Sequence, residues 1–267
     1  MKFSIITPNF NGARFLETAL TSVAAQRGPD VEVEHWIMDG SSTDGSQEII
    51  QRFLGPETFL VTEPDRGPAD AINKGLRRAT GDIVAWLNAD DRYHAQALRR
   101  AAEIFTAQPC AAFVFGHCRI VNEGDAEIRR GITRFKEMFF PCSSRFTFQC
   151  INYVSQPAMF FRRTAMARAG FLRTDLKAAW DYEFMLRLWH HGGAACAPGA
   201  PLADFRWHPG SISGQTFRRQ FREEWEAAVA DAGRYSLQAL IHLGVRFGIV
   251  GSYKLMAAIR SKGTACA

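Results

Sequence analysis

The stretch Ile83-Val84-Ala85-Trp86-Leu87-Asn88-Ala89-Asp90-Asp91 decides the fold. Its apolar run has no polar alternation, the habit of a strand buried on both faces in a parallel sheet. The polar group that follows puts chemistry at the strand's carboxyl end, where open α/β sheets bind their ligands. Upstream, strand-like and helix-like patterns alternate. Phe3 to Thr7 is an apolar run ended by Pro8, and Phe15, Leu16, Ala19, Leu20, Val23 and Ala24 then recur at helical spacing. Val31 to Met38 is a second strand, with a helix at 46–54, and Phe59-Leu60-Val61 is a third. Ala71, Ile72, Gly75, Leu76 and Ala79 mark one face of the next helix. Downstream, Ala97, Leu98, Ala101, Ile104 and Phe105 stripe a helix that leads to a strand at Ala112–Phe115. This alternation predicts an α/β fold with a Rossmann-like, mostly parallel, doubly wound sheet.

The second half is less regular. Residues 117–133 read as a hairpin around Asn122-Glu123-Gly124-Asp125. The aromatic-rich stretch 135–155 reads as a mobile loop over a site. Strand, helix and strand return over 156–210, and helices are expected from Thr216 to 260. Domain organisation is read as a catalytic unit over 1–215 followed by a basic helical extension over 216–267.

Composition bounds the function. With 267 residues, 47% of them hydrophobic and 22% charged, the chain is neither disordered nor a disulfide-dense module. A net charge of +5 favours anionic partners, and no feature points to nucleic acid. The six cysteines contain no C-x-x-C pair or zinc spacing, and read as reduced, mostly buried thiols. No signal peptide and no uninterrupted apolar run of about 18 residues is seen. The expected location is the cytoplasm.

Four polar clusters fall at strand ends. They are Pro8-Asn9-Phe10-Asn11, the loop Asp39 to Ser46, the run from Glu63-Pro64-Asp65-Arg66-Gly67 to Asp70-Ala71-Ile72-Asn73-Lys74-Gly75, and Asn88-Ala89-Asp90-Asp91. Neither G-x-x-x-x-G-K-[ST] nor G-x-G-x-x-G is present, which excludes a P-loop and a dinucleotide fingerprint. Adjacent carboxylates at a strand end suit Mg²⁺ or Mn²⁺, which take one or two carboxylates and complete their shell with water and phosphate oxygens. The same pair could instead cap the following helix.

Ile5-Ile6-Thr7-Pro8-Asn9-Phe10-Asn11, Asp39-Gly40-Ser41-Ser42-Thr43-Asp44-Gly45-Ser46, and Ala79-Thr80-Gly81-Asp82 leading to Leu87-Asn88-Ala89-Asp90-Asp91 resemble family 2 glycosyltransferases of the GT-A fold. The likeness covers residues 2–210, and the Glu63 to Gly75 segment resembles the branch that builds bacterial cell-surface polysaccharides. It implies transfer of a sugar from a nucleotide-diphosphate donor to a glycan or lipid-linked acceptor. Asp39 would contact the base or ribose, with Pro8 and Asn9 lining the same pocket and Asp65 and Asn73 closing its far side. Asp90 and Asp91 would hold Mn²⁺ or Mg²⁺ on the diphosphate, Asp90 also touching the nucleotide. Family members often carry Asp where Asn88 stands, so this site has less negative charge.

An inverting displacement also needs a base. In Trp180-Asp181-Tyr182-Glu183-Phe184-Met185-Leu186-Arg187, Asp181 falls on the family's catalytic position. Independently, Asp181 shares a helical face with Phe184 and Met185, so desolvation should raise its pKa. Glu183 has Arg187 four residues on, the spacing of an exposed ion pair. Phe205-Arg206-Trp207-His208-Pro209-Gly210-Ser211 resembles the family's Arg-x-His-x-x-Ser segment, in which His208 completes the metal shell and Arg206 offsets phosphate charge. Gln156-Pro157 resembles an acceptor-side element.

After Asp231 no acidic residue appears, whereas Arg234, Arg246, Lys254, Arg260 and Lys262 are interleaved with Leu237, Leu240, Ile241, Phe247, Ile249 and Leu255. Basic apolar helices of this kind lie on anionic membranes, here the inner face of the plasma membrane. The rival readings are a sugar nucleotidyltransferase, which would release pyrophosphate, and a nucleotide-sugar-binding scaffold without turnover.

Overall fold

The computed structural model describes residues 1–248. A chain of alternating elements builds the first layer of the fold. These are β1 (Lys2–Asn9), α1 (Ala13–Ala24), β2 (Glu32–Asp39), α2 (Ser46–Gln51), β3 (Thr58–Thr62), α3 (Pro68–Leu76) and β4 (Ile83–Trp86). The middle of the chain adds β5 (Arg92–Tyr93), α4 (Ala97–Ala107), β6 (Phe113–Gly116), β7 (Cys118–Val121) and β8 (Glu127–Ile128). Then come α5 (Arg130–Glu137), α6 (Arg145–Cys150), β9 (Met159–Arg162), α7 (Arg163–Ala169), α8 (Trp180–Trp189), β10 (Ala194–Ala197) and β11 (Ala203–Arg206). A short α9 (Ile212–Gln215) precedes α10 (Phe217–Ala232), and residues 237–248 are again helical.

The main sheet has seven strands in the order β10-β6-β9-β4-β1-β2-β3. All its pairings are parallel except those of β9, which runs antiparallel to β4 and β6. The period of two then assigns faces. Val84 and Trp86 pack into a core with α3, α6 and α8, while Ile83 and Ala85 join the opposite core with α1 and α4. The mostly parallel doubly wound sheet expected from the sequence is present.

A second sheet, ordered β5-β11-β7-β8, was not foreseen. It is pinned by Asp204, which is fully buried and accepts hydrogen bonds from Arg92 Nε at 2.8 Å, His94 Nε2 at 2.8 Å and Arg119 Nε at 2.8 Å. Burial alone would raise the Asp204 carboxyl, but the His94, Arg119 and Arg92 bonds outweigh it and hold it well below the usual range. These partners are scattered through the sequence, and no local period announces strands this short.

Residues 135–155 are a loop only in part, and both their helical and irregular stretches border the cleft. They hold the end of α5 and all of α6, because Phe148 is fully buried against Tyr182, whose hydroxyl donates to the Phe148 carbonyl at 2.9 Å. The expected hairpin is present as β7 and β8. Five cysteines are free thiols, but Cys110 and Cys142 are exposed rather than buried. Cys266 and the tail residues Ile249, Leu255, Lys254, Arg260 and Lys262 lie outside the described residues.

Candidate active site

The carboxyl ends of β1 and β4, the loops after β3 and β11, and helices α5, α8 and α10 surround one cleft of about 1210 Å³. That exceeds the few hundred to about 1,000 Å³ typical of a single small-ligand pocket. Pro8, Asn9, Asp65, Asp90, Asp181 and His208 all line it.

At one end, Asp39 is buried and saturated. Its Oδ1 accepts from Asn9 Nδ2 at 2.8 Å and Ser42 Oγ at 2.6 Å, and its Oδ2 accepts from the Ser42 N–H at 3.0 Å and Gln47 Nε2 at 3.2 Å. The expected direct contact of Asp39 with a nucleotide is therefore corrected to a supporting position, in which it orients Asn9 on the cleft wall. Asn9 Oδ1 is buried without a partner among the described residues. Asp65 closes this end, its Oδ1 accepting the Gly67 N–H at 2.8 Å. Gly40 lets it approach, since a Cβ there would meet Asp65 Oδ2 at 2.5 Å and Phe10 at 3.2 Å.

Asn73 is elsewhere. Its Nδ2 donates to the Leu172 carbonyl at 2.8 Å and its Oδ1 accepts the Leu172 N–H at 2.9 Å, tying α3 to the chain after α7. Both ends of the amide are used inside the protein, which corrects its expected place around the nucleotide. Asn73→Ala is expected to cost about 2 kcal/mol of stability through two orphaned backbone groups. Donor affinity should stay unchanged, and calorimetry with titration of a nucleotide sugar checks both.

The paired aspartates after β4 diverge. Asp90 faces the cleft with its Oδ2 3.1 Å from His208 Nε2. Asp91 is only 1% exposed; its Oδ1 accepts the Arg206 N–H at 2.9 Å and its Oδ2 accepts from Asn88 Nδ2 at 3.0 Å. Burial, and then the charge of Asp90, push its carboxyl well above the usual range. Asp91 is thus corrected from metal ligand to internal brace. Arg206 is corrected likewise. Its side chain is 3% exposed and donates to the Asp90 carbonyl at 2.9 Å, the Asn122 carbonyl at 2.8 Å and Asp125 Oδ1 at 2.6 Å. It clamps the aspartate loop to the hairpin instead of meeting phosphate.

Asp90 and His208 fit a divalent ion. Two donors on adjacent vertices of an octahedral ion with bonds of about 2.1 Å sit about 3 Å apart, close to the observed 3.1 Å. Among the described residues no group of three acidic, His or Cys side chains converges on a metal position. The remaining vertices would fall to water and ligand oxygens, the pattern of Mg²⁺-like ions.

At the other end Asp181 sits in the first turn of α8, with its Oδ1 accepting the Tyr182 N–H at 2.8 Å. Burial pushes its carboxyl up to about 6, opposed by the Tyr182 N–H and helped by the charge of Glu224. The desolvation expected from helical spacing is present. Glu183 and Arg187 do pair, at 2.8 and 2.9 Å, but they are half-buried rather than exposed, and Arg187 also donates to the carbonyls of Ala169 and Phe171. Gln156 lines the cleft, its Nε2 donating to the Trp86 carbonyl at 2.7 Å.

Two neighbouring residues of α10 were missed. Glu223 accepts the backbone N–H groups of Lys177 at 3.0 Å, Ala178 at 2.9 Å and Ala179 at 3.2 Å, capping α8 from another helix. Glu224 lines the cleft beside Asp181. Only the Arg219–Glu223 and Gln220–Glu224 spacings hint at them, and those read as ordinary helix-surface pairs.

A family model described as Glycosyl transferase family 2 matches residues 4–169. An uncharacterized glycosyltransferase of Nostoc sp. is 34% identical over 137 residues, covering 50% of this chain and 42% of that protein. TuaG of Bacillus subtilis, described as a putative teichuronic acid biosynthesis glycosyltransferase, is 33% identical, covering 45% of this chain and 48% of its own. The chain thus spans less than half the length of either relative. A PGL/p-HBAD biosynthesis glycosyltransferase of Mycobacterium tuberculosis is 32% identical over 187 residues, 68% of each chain. Among solved structures, S. aureus TarS in complex with UDP-GlcNAc superposes with a TM-score of 0.70 at 18% identity, covering 91% of this chain and 69% of that one. Mannosyltransferase PcManGT from Pyrobaculum calidifontis, in complex with GDP-Man and Mn²⁺, gives 0.66 at 21% identity, covering 99% and 80%. At these identities the structural likeness speaks for the GT-A fold alone.

Proposed function

The chain belongs to glycosyl transferase family 2, and from that premise we propose that it transfers a sugar from a nucleotide-diphosphate donor to a hydroxyl of a cell-envelope glycan, with inversion. One observation carries the reading: Asp90 with His208, and Asp181, line the same cleft. One end suits an anionic diphosphate held through a cation, and the other offers a desolvated proton acceptor.

Pro8, Asn9 and Asp65 receive the nucleotide, and Asp90 and His208 hold Mn²⁺ or Mg²⁺ at its diphosphate. When bound, that ion offsets the charge left on the departing nucleoside diphosphate. Asp181 takes the proton from the acceptor hydroxyl as its oxygen bonds to the anomeric carbon. The bond from that carbon to phosphate breaks on the opposite face, and its electron pair leaves with the nucleoside diphosphate. The catalytic unit is assigned to 1–215, with 216–267 as an extension whose α10 and 237–248 segment also line the cleft.

The membrane side of the proposal rests on 237–248. One face of this helical segment roofs the cleft through His242 and Val245. Its other face leaves Leu237, Leu240 and Phe247 more than half exposed. Among the described residues no helix is long and apolar enough to cross a membrane. The segment's apolar stripe, with Arg234 just before it, suits contact with an anionic bilayer carrying a lipid-linked acceptor. The envelope assignment is supported by what TuaG and the mycobacterial protein are described as doing.

Incubating the protein with UDP-, GDP- and dTDP-sugars and Mn²⁺ should release nucleoside diphosphate. Pyrophosphate released from a nucleoside triphosphate and a sugar 1-phosphate in a parallel incubation would favour a nucleotidyltransferase, and no turnover in either a scaffold. His208→Ala is expected to weaken the apparent Mn²⁺ affinity about 10- to 100-fold, read from the Mn²⁺ dependence of initial rates.

A further inference from the structure

Deeper in the cleft, beside Asp181, two hydrogen-bond acceptors have no donor. Glu224 is 4% exposed, and the amides of Asn152 and Gln220 both donate to its Oε1, each at 3.1 Å. Its Oε2 is left without a hydrogen bond. Asn152, which turns its Nδ2 to Glu224, leaves its own Oδ1 buried and unpartnered. Both residues line the cleft. A buried acceptor with no donor costs stability unless a ligand supplies one; Asn152 Oδ1 is such an atom, and Glu224 Oε2, which is not enclosed, is free to accept an O–H group brought into the cleft.

The local charge narrows the ligand. Asp181 and Glu224 are two carboxylates against one ammonium, that of Lys136, which donates to Ser155 Oγ at 3.3 Å. A phosphate or uronate placed here would meet net negative charge, whereas neutral hydroxyls would not. Glu224 also lies on α10, beyond the residues 4–169 that the family model matches.

We propose that Glu224 and Asn152 form an acceptor-sugar subsite, in which Glu224 Oε2 and Asn152 Oδ1 accept hydrogen bonds from hydroxyls flanking the one that Asp181 deprotonates. The acceptor is then a neutral saccharide with free hydroxyls next to the glycosylated position, not a phenol or an anionic head group. This rests on the glycosyl-transfer reading above and adds the acceptor's chemical class to it.

The test uses the full chain, Mn²⁺ and whichever nucleotide sugar it hydrolyses or transfers. The acceptor probes are the methyl glycosides of glucose, galactose and mannose, their singly deoxygenated analogues, and 4-nitrophenol. Wild type should glycosylate at least one methyl glycoside in preference to 4-nitrophenol. Glu224→Gln should raise the acceptor KM about 10- to 100-fold while donor KM stays within about twofold. A deoxy analogue lacking the recognised hydroxyl should show a similar loss on wild type and little further loss on the variant. Asn152→Ala should act in the same direction more weakly, and it decides the matter if Glu224→Gln does not fold.

The subsite is overturned if acceptor KM is unchanged in the folded variants, if donor KM moves with it, or if 4-nitrophenol serves as well as the glycosides. Failure to turn over any donor would instead overturn the glycosyl-transfer reading, and this inference with it.

Discussion

Replacing Asp181 with Asn lowers sugar transfer by about 10³-fold and leaves nucleotide-sugar binding intact, measured by steady-state kinetics beside donor titration. The amide keeps the size of the carboxylate and can still accept the Tyr182 N–H, so the start of α8 is preserved and only the proton acceptor is lost. The wild-type rate should climb with pH through about 6, where the half-buried carboxyl ionises, and then level off. The same substitution should make the protein more stable. The carboxyl's folded pKa of about 6 lies above its ordinary 3.8, so stability is greatest below the ordinary value and falls as pH rises through 6. By neutral pH the native state carries a charge it disfavours, at a cost of up to about 3 kcal/mol for a shift near two units. Melting curves of wild type and Asp181→Asn should coincide near pH 3.5 and separate between pH 4 and 6, the variant melting higher. A variant that melts lower at pH 7.5 would mean that Asp181 is not desolvated.

Glu223→Ala is expected to have the largest effect on stability. The substitution strands three backbone N–H groups at the start of α8 and removes the partner of Arg219. A loss of about 3 kcal/mol follows, on the order of 6–10 °C in Tm for a chain of this size. Transfer should fall as well, because Asp181 lies two residues beyond the capped N–H of Ala179 and relies on that turn for its aim. Glu223→Gln, whose remaining carbonyl oxygen still accepts, should recover part of both losses. Burial raises the Glu223 carboxyl, but the Arg219 and backbone hydrogen bonds outweigh it and hold it below 4.5. Its contribution is therefore present above that value and fades as pH falls through the lower, folded one. Wild type should lose this increment on acidification while Glu223→Ala has none to lose.

The fold was legible where the physics is local. The apolar run Ile83 to Leu87 could only be an interior strand, and the helical stripes of α1, α3 and α4 followed from spacing alone. The site was legible in part. Asp90, His208 and Asp181 are in one cleft, and the neighbours of Asp181 foretold its desolvation. Side-chain direction was not legible. Adjacent aspartates look alike in one dimension, but only the backbone path after β4 sends Asp90 outward and Asp91 into the grip of Arg206. Asn73 and Arg206 are buried by contacts 99 and 81 to 116 residues away in sequence, and no pattern within a helix reports such separations. Glu223 and Glu224 stayed hidden for the same reason, as charged residues in a charged helix facing a partner that the sequence cannot display.

The capping of α8 by a residue 44 positions further along the chain has a consequence for biosynthesis. A ribosome that has released everything up to α8 has made Asn9, Asp65 and Asp90, but neither His208 and Arg206 that pack against the aspartate loop nor the latch that holds Asp181. Until α10 clears the exit tunnel, the start of α8 lacks its cap and Asp181 its aim, so competence arrives late in translation.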